Sequence, residues 1–434
     1  MNTLENKHSN EKKVHFPGLN GLRFVAALAV IVTHVELLKK LMNGLYPFQH
    51  GWIDLWGTWQ SGDKMGQAVV ETIPLLTIIE DSNVTWYSPL IHQAGPMGVV
   101  FFFVLSGFLI TYLLLAEKEQ LGFISIRKFY FRRLLRIWPL YLVVVSLGFF
   151  ILPLISWFYI PYQSAILSPQ QSHQFWASFA LFVLMLPNMA YALFGPFPNI
   201  GQSWSIGVEE QFYLIWPWII RKAKQPLVVI LRFFVAFMVL KMVVLMASRL
   251  WDWEALNVLR KFLAMSKLES MAIGAMGAWL LYNRRERLLN FIYKGAVQVA
   301  CLVAFISVLY LTPAFLENVI HLIISPLFLI IILNVASNPK SLIKMRGRVY
   351  DFLGRISYGI YMYHMMVITF VLHLYMHFAP KQEVQPWSHH LLIYVLTIGI
   401  TIFVSYLSHR LIESRFIRLK SRFAQIKSSD TANT

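Results

Sequence analysis

The chain is short of charge. Only 14% of its 434 residues are Asp, Glu, Lys or Arg, against about 25% in soluble domains. That shortage excludes a disordered chain and a nucleic-acid-binding domain built on solvated faces. Cysteine is almost missing too. Cys301 stands alone, which excludes an intrachain disulfide scaffold and leaves the redox compartment unread. Acidic residues are scarce within the small charged set, 21 against 38 Lys and Arg, for a net charge of +17. An internal repeat is missing as well, which speaks against a carrier made of inverted halves. What the chain has in excess is apolar surface: 57% hydrophobic residues, 15% aromatic, and a mean hydropathy of +0.57. Such a composition fits an all-α, polytopic membrane protein.

A helix needs about 20 mostly apolar residues to cross the hydrocarbon core. Ten segments meet that need, near 18–38, 96–115, 138–159, 204–220, 226–247, 262–282, 290–311, 319–337, 356–377 and 390–409. An eleventh, 174–194, is interrupted by Pro187 and Asn188 and followed by Gly195-Pro196-Phe197-Pro198. Ten spans with both termini cytoplasmic place 27 of the 38 basic residues inside and 7 outside, with four inside spans. This is the positive-inside pattern. An eleventh span would turn Arg221-Lys222-Ala223-Lys224 outward, so 174–194 is expected to be re-entrant or to lie against the bundle, where broken backbone is tolerated beside protein or a cavity. The expected organisation is a cytoplasmic tail over 1–17, a membrane domain over 18–411 and a basic cytoplasmic tail over 412–434. The first helix ends in Glu36-Leu37-Leu38-Lys39-Lys40 with no cleavage site, so it reads as a span and not as a signal peptide. The long outer connection, 41–95, carries Trp52, Trp56, Trp59 and Trp86, which read first as an interfacial belt.

Ionisable residues inside spans are expensive and mark candidate sites. Arg23 and His34 are eleven residues apart, an angular offset of about 20° and a rise of about 16 Å on a helix, so they share a stripe that must face protein or water. Histidine is the side chain best suited to exchange a proton near neutral pH; the alternative is a histidine hydrogen-bonded within the bundle. Ser205, Glu209 and Tyr213 also share a helix face. A carboxylate there would orient a nearby His, or Glu209 and Glu210 would simply suit the dipole of a helix N-terminus. Arg132, Arg133 and Arg136 form a fork-rich cytoplasmic surface fit for phosphate, although topology and lipid headgroups explain such charge equally well. Lys267 and Glu269 are two residues apart and each needs a partner elsewhere. Ser357, Tyr361 and His364 share a face, with Tyr358 and Tyr363 off it.

Five blocks in order resemble the acyltransferase-3 family of integral membrane acyltransferases. They are Leu19-Asn20-Gly21-Leu22-Arg23 through His34; Phe101-Phe102-Phe103-Val104-Leu105-Ser106-Gly107-Phe108-Leu109; Arg132-Arg133-Leu134-Leu135-Arg136-Ile137-Trp138-Pro139; Trp204 through Tyr213; and Arg355-Ile356-Ser357-Tyr358 through Tyr361 to His364. The resemblance covers about 17–416. Val100 stands where many members carry an acid, and Glu413-Ser414-Arg415-Phe416 departs from the usual closing E-x-P-F.

The resemblance implies an O-acyltransferase of the cell inner membrane. It would move an acyl group, acetyl foremost, from cytoplasmic acyl-CoA to a hydroxyl of an extracytoplasmic envelope carbohydrate. No permanently bound cofactor or metal is implied, and acyl-CoA is the donor substrate. The partners are the lipid bilayer, acyl-CoA and the carbohydrate, with no nucleic acid; the oligomeric state is not read. His34 would act as general base on the acceptor hydroxyl with Glu209 orienting or charge-balancing it; direct transfer is the simpler scheme, and an acyl-His intermediate would be nucleophilic catalysis instead. Arg132, Arg133 and Arg136 would bind the CoA phosphates. Arg23, Ser106, Trp204, Glu210, Glu269, Tyr358, Tyr361 and His364 would line the cavity. A transporter or flippase for a lipid-linked or small sugar is the rival reading.

Overall fold

The computed structural model describes residues 16, 18–42, 88–160, 172–311, 319–378 and 387–421. Among these every regular element is helical. Sixteen α-helices follow in order: α1 (Leu19–Met42), α2 (Ser88–Leu121), α3 (Ile126–Ser146), α4 (Ser172–Val183), α5 (Pro187–Phe194), α6 (Trp204–Lys222), α7 (Pro226–Leu250) and α8 (Glu254–Met265), then α9 (Leu268–Tyr282), α10 (Glu286–Ile292), α11 (Gly295–Leu311), α12 (Ile320–Ser337), α13 (Arg348–Arg355), α14 (Ser357–Phe378), α15 (Trp387–Ser408) and α16 (Ser414–Ser421).

All ten apolar segments are helical, but they are not equal. Among the described residues seven helical stretches are long and apolar enough to cross a membrane, and α10 with α11, bent by 60° at their junction, makes an eighth if the pair is one span. The remaining two segments explain the shortfall from ten. Over 262–282 the chain is cut into α8 and α9, and α9 has only 15 residues, about 23 Å at 1.5 Å per residue. Helix α6 has 19 residues but carries Glu209, Glu210, Arg221 and Lys222.

The 174–194 stretch breaks where expected. Leu186 ends the first turn system, Pro187 occupies the first position of α5, and Met185 between the two helices has φ 60°. Proline is tolerated at that opening position because its missing N–H has no intrahelical partner anyway. Neither α4 (12 residues) nor α5 (8 residues) reaches across a membrane alone. The tryptophans at 52, 56, 59 and 86, and the tails over 1–15 and 422–434, lie outside the described residues.

Helices α1, α2, α6, α9 and α14 build the frame of the site. Helices α1 and α2 run antiparallel: the Gly95 amide donates to Thr33 Oγ1 at 2.7 Å, while a side chain on Gly98 would strike the Ala26 carbonyl and Val30. Helices α2 and α9 cross at backbone contact. A Cβ on Gly107 would collide with the Met271 carbonyl, and one on Gly274 with the backbone of Val104 and Phe108. Small residues at crossing points let membrane helices approach this closely. Helix α6 is tied to α2 at two depths. Buried Trp216 Nε1 donates to Thr111 Oγ1 at 2.8 Å. Lys118 Nζ donates to the carbonyls of Ile220, Arg221 and Ala223 at 3.1, 3.2 and 2.7 Å, a cation on the negative end of a helix dipole.

Candidate active site

Helix α1 places Arg23 and His34 on one stripe, and both are half-buried. The Arg23 guanidinium donates to Asn20 Oδ1 at 3.2 Å. Asn20 in turn donates to Asp351 at 3.3 Å, fixing the start of α1 beside α13.

The partner of His34 is His364. The imidazoles lie with centroids 5.0 Å apart, and His364 Nε2 is 3.3 Å from His34 Nδ1. Carbonyl neighbours fix which nitrogens carry hydrogen. His364 Nδ1 is 2.6 Å from the Tyr361 carbonyl, which only accepts, so Nδ1 donates and His364 Nε2 presents a lone pair. His34 Nδ1 is 2.9 Å from the Val30 carbonyl, so it too carries hydrogen and shares it with His364. This tautomer leaves the lone pair of neutral His34 on Nε2, for which no hydrogen-bond partner exists among the described residues. His364 is fully buried while His34 keeps part of its surface open. An oriented imidazole with a free lone pair is the arrangement a general base requires.

Tyr361 joins this pair to α6. Its hydroxyl is 2.7 Å from Ser205 Oγ and donates to the Gln202 carbonyl at 3.2 Å, and Phe102 packs edge-on against its ring. One turn further along α6, Glu209 accepts from Ser106 Oγ at 2.7 Å and from Tyr213 OH at 3.0 Å. The charges of Arg133 and Arg23 act on the same carboxylate. Both oxygens of Glu209 are thus engaged, and neither by His34. The expected direct support of His34 by Glu209 gives way to His364, which holds the position a carboxylate takes in a triad. Glu209 is by geometry a positioning residue for Ser106, Tyr213 and the arginines.

The remaining expected residues do not gather in one place. Glu210, next to Glu209 on α6, accepts from Trp138 Nε1 at 3.5 Å, and half-buried Trp204, at the start of the same helix, packs edge-on against Phe103. Tyr358 instead donates to the Ile137 carbonyl of α3 at 3.0 Å. Of the arginines, Arg132 is paired with Glu117 at 2.8 Å. Arg133 is half-buried over the rings of Phe129 and Tyr213, at 5.8 and 5.3 Å. Arg136 is half-buried. The fork expected at the cytoplasmic mouth is therefore partly spent on the protein itself, and Arg133 is turned toward the carboxylates.

Glu269 belongs to a different cluster. It is fully buried and bonded to Lys241 Nζ and His321 Nε2, each at 2.5 Å, with Ser270 and Ser325 joined beside it at 2.9 Å. The need for distant partners was legible in the sequence; their identity on α7 and α12 was not. None of the hydrogen bonds of Glu269 reaches the His34 or Glu209 groups. Removing Glu269 leaves the Lys241 charge uncompensated, so Glu269→Ala is expected to cost about 3–5 kcal/mol of stability. A thermal melt of the purified protein in detergent checks this, and an unchanged midpoint contradicts it.

A family model described as Acyltransferase domain, that of the acyltransferase-3 family, matches residues 16–409. A Staphylococcus aureus (strain COL) protein named as a candidate O-acetyltransferase is 24% identical over 428 residues, covering 96% of this chain and 59% of that protein. An uncharacterized Haemophilus influenzae protein is 32% identical over 126 residues, covering 27% of this chain and 46% of its own length. The peptidoglycan O-acetyltransferase OatA of Listeria monocytogenes is 33% identical over 132 residues, covering 29% of this chain and 20% of OatA. The chain thus spans about three fifths of the length of the Staphylococcus relative. No solved structure is a significant match.

Proposed function

The chain belongs to the acyltransferase-3 family, and on that premise we propose that it is a membrane O-acyltransferase moving an acetyl group from acetyl-CoA to a hydroxyl of an envelope carbohydrate. The reading includes ten spans, cytoplasmic termini, location in the inner membrane, donor entry from the cytosol and an acceptor on the far side. The names of the Staphylococcus and Listeria relatives support O-acetyl transfer, and the Listeria name supports peptidoglycan as the class of acceptor. The observation that carries the reading is the His34–His364 pair: carbonyl contacts assign the tautomer that frees His34 Nε2.

The chemistry follows from that tautomer. His34 Nε2 takes the proton of the acceptor hydroxyl as its oxygen attacks the thioester carbonyl. The imidazolium so formed keeps its Nδ1–H on Val30 and on the lone pair of His364, which stabilises the new charge. Collapse of the tetrahedral intermediate breaks the C–S bond, and the leaving sulfur receives the proton back from Nε2. One ester forms, one thioester is lost, and no proton is gained or released.

Arg133 is the arginine best placed to meet the donor phosphates from within the site. Its planar fork is held over Tyr213 and is not replaced by a lysine point charge. Arg133→Ala is expected to raise the KM for acetyl-CoA about tenfold or more, the size of one lost charge-assisted contact. Steady-state kinetics at saturating acceptor check this, and an unchanged donor KM removes Arg133 from donor binding.

The reading as a whole is tested by mass spectrometry of envelope glycans from cells with and without the gene. A mass difference of one acyl group per modified residue is the expected result. Identical glycans in every fraction overturn the reading, and loss of glycan export in the absence of the gene favours the carrier instead.

A further inference from the structure

The segment leading into α6, Asn199-Ile200-Gly201-Gln202-Ser203, holds three buried polar side chains with one atom each left unpartnered among the described residues: Asn199 Oδ1, Gln202 Oε1 and Ser203 Oγ. Their exposures are 2%, 3% and 0%. Buried polar atoms in folded proteins nearly always have partners, so three orphans within five residues call for an occupant. The amide orientations are not ambiguous. Gln202 Nε2 donates to the Met362 carbonyl at 2.7 Å, and Asn199 Nδ2 to the Phe158 carbonyl at 2.8 Å, so the orphan atom of each is the oxygen. Asn199 is also held at φ 60°, a left-handed conformation that keeps the turn tight and that asparagine tolerates better than most residues.

The segment adjoins the histidine pair. Gln202 is anchored to Met362 through its amide, and its carbonyl accepts from Tyr361 OH. Tyr361 and Met362 lie on the turn of α14 that ends at His364, whose Nδ1 bonds the Tyr361 carbonyl.

The chemistry of the orphans selects their occupant. Two carboxamide oxygens can only accept, so the missing partner must bring hydrogens. Phosphates of a coenzyme have none to offer at neutral pH; the amide N–H groups and hydroxyl of its pantetheine arm do, and the KM for acetyl-CoA separates that source from a sugar. A sugar carries several hydroxyls, each able to donate to an oxygen, and Ser203 Oγ can receive or give the third bond.

We propose that Asn199, Gln202 and Ser203 form the subsite that binds hydroxyl groups of the acceptor sugar beside His34. This inference rests on the acyltransferase reading and adds to it the residues that select a polyhydroxyl acceptor.

Ser203→Ala is the decisive variant, because no hydrogen bond among the described residues uses its hydroxyl. A merely structural serine predicts a variant as stable as the wild type, or more so, since an unpaired buried polar atom is removed, and with unchanged kinetics. The subsite predicts that same stability together with a KM for saccharide raised roughly three- to tenfold, the worth of one neutral hydrogen bond, and an unchanged KM for acetyl-CoA. The assay uses the purified full chain in detergent, radiolabelled acetyl-CoA and a soluble peptidoglycan tetrasaccharide as the probe. Gln202→Met serves as the second variant, with the same split between the two KM values expected. Variants that transfer with the wild-type saccharide KM overturn the subsite and leave the enzyme reading intact; the orphans then hold water. A folded wild type that transfers no label to this probe, from cells whose glycans nevertheless change with the gene, overturns the probe's class as acceptor and this assignment with it. A folded wild type with no transfer, and no glycan change in cells, overturns the enzyme reading itself.

Discussion

His34→Ala is expected to lower acetyl transfer by about two to four orders of magnitude, the usual contribution of a positioned general base, while the protein remains folded. The expectation of an intact fold comes from the surroundings of the ring. His34 is half-buried and bonds only to a carbonyl of its own helix and to His364, so its loss opens no large void in the apolar core. The effect should fall on kcat, because the proton transfer occurs at the reacting atoms. The pH dependence has a definite sign. The base works neutral, so turnover at saturating substrate should rise with pH through one ionisation. His364→Ala should reduce the rate less, since the Val30 carbonyl still holds His34 Nδ1 in the working tautomer. A His34→Ala protein that retains full turnover would remove the imidazole from the chemistry.

Gly274→Leu should have an effect of similar size by a different route. Helices α2 and α9 touch backbone to backbone, and any side chain at 274 meets the Val104 carbonyl and the Phe108 amide. Neither is the flexible end of a side chain, so the helices must separate. Overpacking typically costs about 1–3 kcal/mol, more where backbone has to move. Helix α2 also carries Ser106 and Phe102, which face Glu209 and Tyr361. A shift of about 1 Å in a reacting constellation costs on the order of a hundredfold in rate. The expected result is a lowered melting temperature together with acetyl transfer reduced at least that far. Gly274→Ala at wild-type stability and rate would show that the crossing has slack.

The sequence made some of this site legible and hid the rest for physical reasons. Periodicity is local, so the shared stripe of Arg23 and His34 and the shared face of Ser205, Glu209 and Tyr213 could be read directly; the Tyr213–Glu209 bond lies on that face. Proline chemistry is also local, and the break before Pro187 followed from it. Pairing across the bundle is not local. His34 and His364 are 330 residues apart, and nothing in either segment names the other. A carboxylate on the facing helix was the natural partner to expect for His34, but Ser106 and Tyr213 take both its oxygens. Glu269 advertised its need for a counter-charge without showing that Lys241 and His321 supply it. The orphaned oxygens of Asn199 and Gln202 could not be read at all, because an unmet hydrogen bond is visible only once every neighbour is in place.

In the proposed reaction one imidazole is reached by a thioester from one side of the membrane and by a sugar from the other. The purified chain in sealed vesicles, with radiolabelled acetyl-CoA outside and a soluble peptidoglycan tetrasaccharide trapped within, puts this to the test. Label on the trapped saccharide, absent with His34→Ala, is the predicted result. Label that appears only when both substrates share a compartment would contradict it.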